Sequence, residues 1–102
     1  MKKVVGVCAC PTGIAHTYMA ADAIDAAAKK LGFQCKVETQ GTIGIEDRLT
    51  DQDIKEADLI IVSVAVKLRD SERFEGYEDK TIEVPLQTVI AKIDKILEEK
   101  FN

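Results

Sequence analysis

The run Lys3-Val4-Val5-Gly6-Val7-Cys8-Ala9 is almost unbroken in apolar and β-favouring residues, the pattern of a strand buried on both faces. From Ile14 the period lengthens. Ala20, Ala23, Ile24, Ala27, Ala28 and Leu31 recur at helical spacing, with Asp22, Asp25, Lys29 and Lys30 facing outwards, and predict a helix over 14–31. Gly32 stands where a helix closes in a left-handed residue, and Lys29 and Lys30 suit the negative end of its dipole. Phe33, Cys35 and Val37 then alternate with Gln34, Lys36 and Glu38, which predicts a half-buried second strand. Gln40-Gly41-Thr42-Ile43-Gly44 reads as a loop whose glycines permit unusual backbone angles.

Thr50 and Asp53 have the spacing of a helix cap, although the third position more often holds Glu or Gln, and open a short helix through Ala57. Asp58 to Val64 is a third strand, again apolar on both faces. Lys67 to Tyr77 is charged and irregular, with one helical turn around Ser71 to Phe74. Lys80 to Val84 forms a short fourth strand ending at Pro85. A last helix, Leu86 to Lys100, places Val89, Ile90, Ile93, Ile96, Leu97 and Phe101 on one face. There is no internal repeat and no low-complexity segment.

Strands alternating with helices predict an α/β fold with right-handed crossovers. The expected architecture is a small three-layer α/β/α domain, residues 1–102, around a four-stranded parallel sheet of order 2-1-3-4. Ligands of such sheets bind beyond the carboxyl ends of the strands, where the strand order reverses. That point falls between strands one and three, and the loop leaving strand one, Cys10 to Ala15, lies there.

Composition narrows the classes of function. At 102 residues, with 46% hydrophobic and 31% charged positions, the chain supports one core. The net charge of −4 and the absence of a Lys/Arg cluster argue against nucleic acid, as do 5% aromatic residues and no Trp. No apolar run approaches the roughly 20 residues of a membrane helix. The apolar N-terminal stretch runs directly into Pro11-Thr12-Gly13 with no separate cleavage segment, which favours a strand over a signal peptide. Three cysteines, an odd number, suit a reducing cytoplasm better than a disulfide framework.

The chemistry concentrates in Cys10-Pro11-Thr12-Gly13-Ile14-Ala15-His16-Thr17. Backbone N–H groups from Thr12 to His16 can turn inwards as the chain winds into the helix, forming a phosphate cradle. Pro11 fixes its own backbone angle and biases Cys10 towards an extended conformation, and Gly13 lets the chain curl. The same N–H groups and the positive helix end favour the thiolate at Cys10. Such sites lower a cysteine pKa from about 8.5 into the range ~3.5–7.5.

Cys10, five residues, His16 and Thr17 read C-x5-H-T, close to the C-x5-R-[ST] loop of cysteine phosphatases, with His16 where their arginine clamps the phosphoryl group. Hydrolysis also needs an acid for the leaving oxygen. The Asp-Pro pair that commonly supplies it is absent, since Pro11 and Pro85 follow Cys10 and Val84. A thiol that accepts phosphate without an evident route to water has the properties of a relay.

ACPTGIAHTYMAADA together with KVETQGTIGIEDRLTDQDIKEAD closely resembles the fructose-type enzyme IIB component of the bacterial phosphoenolpyruvate-dependent sugar phosphotransferase system. The resemblance is specific over residues 4 to about 64. It implies a phosphoryl-relay enzyme, a protein-phosphocysteine–sugar phosphotransferase. Cys10 would take the group from a phosphohistidine of the IIA component and pass it to a sugar held by the membrane-embedded IIC component. Pro11 to Thr17 would hold the phosphate. No metal or organic cofactor is implied, and the place of work would be the cytoplasm, at the inner face of the membrane when engaged with IIC. Family members carry an acidic stretch leading to an R-F motif after strand three. Here Arg73-Phe74 is retained, but Lys67 and Arg69 add basic charge to a segment that bears on partner and sugar choice. Family domains commonly sit in longer chains with IIA or IIC, whereas the Met1 start and closing helix suggest a free-standing subunit.

Plainer readings stand beside these. A small cysteine phosphatase of the low-molecular-weight type is the alternative enzyme, and an anion-binding or regulatory module the alternative outside catalysis. Cys35 reads as core, and a Cys8–Cys10 redox pair would close a strained ring. His16 either donates to the phosphate or fills the first helical turn. Cys8, Cys10 and His16 together make a poor zinc site. Thr12 and Thr17 either offer hydroxyls to the phosphate or cap the helix. Gly41 to Gly44 either faces partners or merely connects.

Overall fold

A computed structural model describes residues 2–9, 14–41, 44–64 and 71–101, with the backbone alone at 14–16, 41 and 71. Strand β1 is Lys3–Ala9, helix α1 Ile14–Lys30, strand β2 Gln34–Gly41 and strand β3 Gly44–Glu46. Helix α2 is Asp51–Glu56, strand β4 Leu59–Val64, strand β5 Thr81–Glu83 and helix α3 Leu86–Phe101. Single 3-10 turns occupy Ser71–Phe74, where the sequence predicts a helical turn, and Glu78–Lys80.

The sheet has order β3-β2-β1-β4-β5. Its β2-β1-β4-β5 portion is parallel and reproduces the expected 2-1-3-4 arrangement. The expectation of four strands, all parallel, is corrected by β3, which pairs antiparallel with β2 and makes the sheet five-stranded and mixed. The stretch read as a loop over 40–44 is therefore largely strand. β2 runs on to Gly41, and Gly44 and Ile45 return against Gly41 and Gln40. Gly44 has φ 113°, a region that side chains disfavour, so the glycine that suggested a loop is what allows the return. A strand of three residues is also too short to show a period.

Both faces of the sheet are covered, which is why β1 beyond Lys3 and β4 apart from Ser63 are apolar. Val4, Cys8 and Ile61 pack with Ile24 and Ala28 of α1 and with Val89, Ile93 and Leu97 of α3. Val5, Val7, Ile60 and Val62 face the other way, against Leu49, Ile54 and Phe74. Helix α1 ends as its sequence predicts. Gly32 has φ 78°, its N–H donates to the Lys29 carbonyl at 2.9 Å, and the Phe33 N–H donates to the Ala28 carbonyl at 2.9 Å.

Helix α2 opens with a reciprocal cap built on Asp. The Asp53 N–H donates to Thr50 Oγ1 at 3.0 Å, and the Thr50 N–H donates to Asp53 Oδ2 at 2.9 Å. The same carboxylate pairs with Lys3 of β1 at 3.1 Å and Lys36 of β2 at 2.8 Å, which pins this short helix to the sheet. Among the described residues no helix is long and apolar enough to cross a membrane.

Candidate functional site

β1 ends at Ala9, and α1 begins at Ile14. Ala9 lies between Gln40 of β2 and Val64 of β4, at the C-terminal edge of the sheet. Helix α1 packs on one face of β1 and α2 on the other, so the chain reverses its direction of travel across the sheet at this edge. The joint between Ala9 and Ile14 is Cys10-Pro11-Thr12-Gly13, and these residues lie outside the described ones. So does the segment of Lys67 and Arg69.

Ile14, Ala15 and His16 form the first turn of α1, and only their backbone is described. Thr17 follows in the same helix and is buried. The first turn of α1 contains no acidic residue, so no carboxylate there occupies the positive pole of the helix. An anion arriving at this end meets hydrogen-bond donors.

The other cysteines are chemically quiet. Cys8 is fully enclosed, and burial, with a smaller contribution from Cys35, pushes its thiol up to about 12. Burial and the neighbouring Asp25 likewise raise the Cys35 thiol to about 12. Cys35 packs at the margin of the core on the α1 side, as its alternation with Phe33 and Val37 predicts. Neither thiol supplies thiolate at neutral pH.

A groove of 310 Å³ runs beside α1, lined by Tyr18, Asp22, Asp25, Thr39 and Asp47 among others. Its aspartates, Asp22, Asp25 and Asp47, outnumber Lys36 in the lining, so the groove does not favour a phosphate. Tyr18 of this lining donates its hydroxyl to Glu46 of β3. Met19 is half exposed, and with Tyr18 it gives the start of α1 an apolar outer surface beside the site. Among the described residues no group of three His, Cys, Asp or Glu is placed to hold a metal ion.

The sequence reading missed a polar cluster on the opposite face. Glu38 belongs to the hydrophilic row of β2 with Gln34 and Lys36, yet it is fully buried. Arg73 grips it with Nη1 and Nη2 of its guanidinium, at 2.7 and 2.9 Å. The Leu49 N–H and Gln40 Nε2 donate to the same carboxylate at 2.8 and 2.6 Å. Burial alone would push the Glu38 carboxyl up. The hydrogen bonds from Arg73, Gln40 and the Leu49 amide outweigh it and hold the group below the usual carboxylate range. Only the Arg73-Phe74 dipeptide signalled it, since an alternating pattern cannot tell which polar row a later turn will cover.

A mixed sheet, parallel across β2-β1-β4-β5 and covered on both faces, defines a small α/β domain. Residues 5–99 match the family described as the lactose/cellobiose-specific IIB subunit of the phosphotransferase system. The fructose-like EIIB component 1 of Escherichia coli K12 is 50% identical over 98 residues, covering 96% of this chain and 89% of that protein. The crystal structure of a domain from the fructose-specific IIABC component of Borrelia burgdorferi superposes with TM-score 0.88 and 44% identity, covering 99% of this chain and 94% of that one. A mutant of YwlE from Bacillus subtilis reaches TM-score 0.61 at 13% identity, with both chains fully covered, a likeness of fold alone. The chain belongs to the IIB family of the sugar phosphotransferase system. It is a phosphoryl-relay subunit, and the phosphatase reading has no support beyond shared architecture.

Proposed function

We propose that Cys10 is the phosphorylated residue and that Pro11, Thr12, Gly13, Ile14, Ala15, His16 and Thr17 form the phosphate site. The observation that carries this reading is the place of the Cys10-Pro11-Thr12-Gly13 joint, between the C-terminal end of β1 at the reversal edge and the acid-free N-terminus of α1. In the first half-reaction the Cys10 thiolate attacks the phosphorus of a phosphohistidine on IIA. The S–P bond forms as the P–N bond breaks, and the imidazole leaves. In the second, a hydroxyl of the sugar held by IIC attacks the phosphorus, the S–P bond breaks, and the thiolate is regenerated while the hydroxyl proton is lost to a base. Loop amides stabilise the equatorial oxygens in both transition states.

Two partners use the same exposed edge in turn, and the apolar surface of Tyr18 and Met19 beside it suits protein docking. The chain acts as one IIB domain at the cytoplasmic face of the membrane. It is a protein-phosphocysteine–sugar phosphotransferase. Fructose or a related hexose is the substrate, since 50% identity to a fructose-like component is a closer guide than a broad family description.

The test is the intact mass of the protein mixed with phosphoenolpyruvate, enzyme I, the phosphocarrier protein and a fructose-type IIA. One added phosphoryl group, absent from Cys10→Ser and discharged by sugar with IIC membranes, is the expected result. No gain in mass, together with turnover of an aryl phosphate, overturns the relay in favour of hydrolysis.

A further inference from the structure

Glu38 and Arg73 are more than a buried ion pair, because of what they join. The carboxylate holds the end of β2 through Gln40, the chain following β3 through the Leu49 N–H, and the turn following β4 through Arg73. Arg73 also donates to the Leu49 carbonyl at 2.8 Å, closing the ring. The register sets this hub beside the site. Glu38 pairs with Val7, Gln40 pairs with Ala9, and Ala9 pairs on its other side with Val64. The residue before Cys10 is thus paired with the strand that carries the carboxylate. The link is Gln40.

Glu38 is fully buried and the Arg73 side chain is 7% exposed. A buried ion pair seldom adds more stability than apolar residues of the same volume, so what it supplies here is fixed placement. Phosphoryl transfer is sensitive to placement, since a misalignment of about 1 Å can slow a positioned reaction by roughly 100-fold. Resting on the assignment of Cys10 above, we propose that Glu38 and Arg73 are positioning residues for phosphoryl transfer, fixing the end of β2 against the end of β1 that leads into Cys10 so that its sulfur meets the donor phosphorus in line.

The experiment compares Arg73→Lys with the double variant Glu38→Gln/Arg73→Met, using phosphorylated fructose-type IIA as donor. Lys keeps the charge but loses the two-pronged grip. In the double variant Gln still accepts from the Leu49 N–H, and both charges of the Glu38–Arg73 pair are removed together. The double variant is expected to melt near the wild-type temperature, yet to transfer about 10- to 100-fold more slowly in kcat, with KM for IIA little changed. Arg73→Lys should show the same split, and backbone amide resonances of residues 10–17 should move in both. If the double variant regains wild-type kcat together with its stability, the pair is structural only and the proposal fails. Should the wild type itself accept no phosphoryl group, the assignment of Cys10 falls instead. The amide resonances then decide the pair, and resonances unmoved in the folded double variant overturn it.

Discussion

Gly6 of β1 and Ile24 of α1 meet where the helix crosses the sheet, and a Cβ added at Gly6 would lie 3.2 Å from Ile24 Cδ1. The Ile61 carbonyl and Val37 Cγ1 lie just beyond, at 3.6 Å each. The absent side chain sets how closely α1 approaches β1, and hence where the helix N-terminus sits relative to the strand end. Gly6→Val should cost about 1–3 kcal/mol through overpacking. Ile24→Val alone should cost ~0.5–1.5 kcal/mol, yet in the Gly6→Val background it should recover stability by removing the crowded methyl. Urea denaturation of the four proteins checks this. Simple additivity would show that the two side chains do not collide.

Cysteine labelling separates the three thiols without any partner protein. With Cys8 and Cys35 both pushed up to about 12, iodoacetamide at pH 7 should add one group to the folded protein, at Cys10. Cys10→Ser should take up none on that timescale, and all remaining thiols should react in denaturant. Rapid labelling of Cys35 in the native state would contradict the burial that quiets it.

Acid should weaken the fold through Asp53. Burial raises its carboxyl, but Lys36, the Thr50 amide and Lys3 outweigh burial and hold it well below the usual carboxylate range. Glu38 is depressed in the same sense. A group depressed in the folded state contributes fully above its unfolded value, about 3.9 for Asp. Below that pH the unfolded chain binds the proton first, so stability falls as pH drops towards the folded value. Asp53→Ala should lose about 1–2 kcal/mol at pH 7 with the cap and ion pairs. Its melting temperature should then decline less than wild type between pH 6 and pH 3. Parallel declines would assign the acid limb elsewhere.

Ser63 is opposite Cys8 in the β1–β4 register, and its hydroxyl is buried with no hydrogen-bond partner among the described residues. An unsatisfied buried hydroxyl costs ~1–3 kcal/mol, so Ser63→Ala should be neutral or stabilising. A loss above about 1 kcal/mol in thermal or urea unfolding would show that the hydroxyl is bonded after all.

Much of the architecture was legible because its signals are local. The mainly apolar runs of β1 and β4, the 3.6-residue period of α1 and α3, Gly32 at the helix end and the Thr50–Asp53 cap each declare themselves within a few residues. The short return at Gly44–Glu46 did not, because pairing with β2 makes it a strand and its own residues carry no period. Glu38 was read as part of an outward row because alternation separates two faces without saying whether both are covered. Leu49, α2 and the Ser71–Phe74 turn cover that face, and the nearest bonded partner of the carboxylate beyond Gln40 is eleven residues away.

The sequence by itself determined the chemistry on offer and its address: a thiol, a proline and a glycine between a buried strand and an alanine-rich helix. Adjacency along the chain is enough for that, since a strand end and the following helix start are joined by only four residues. Tertiary structure decided which groups surround that address. It buried Cys8 and half-buried Cys35, raising both thiols, and drew Glu38, Leu49 and Arg73 together from three separate segments. Those outcomes depend on desolvation and long-range pairing, and neither is a property of any local stretch of sequence.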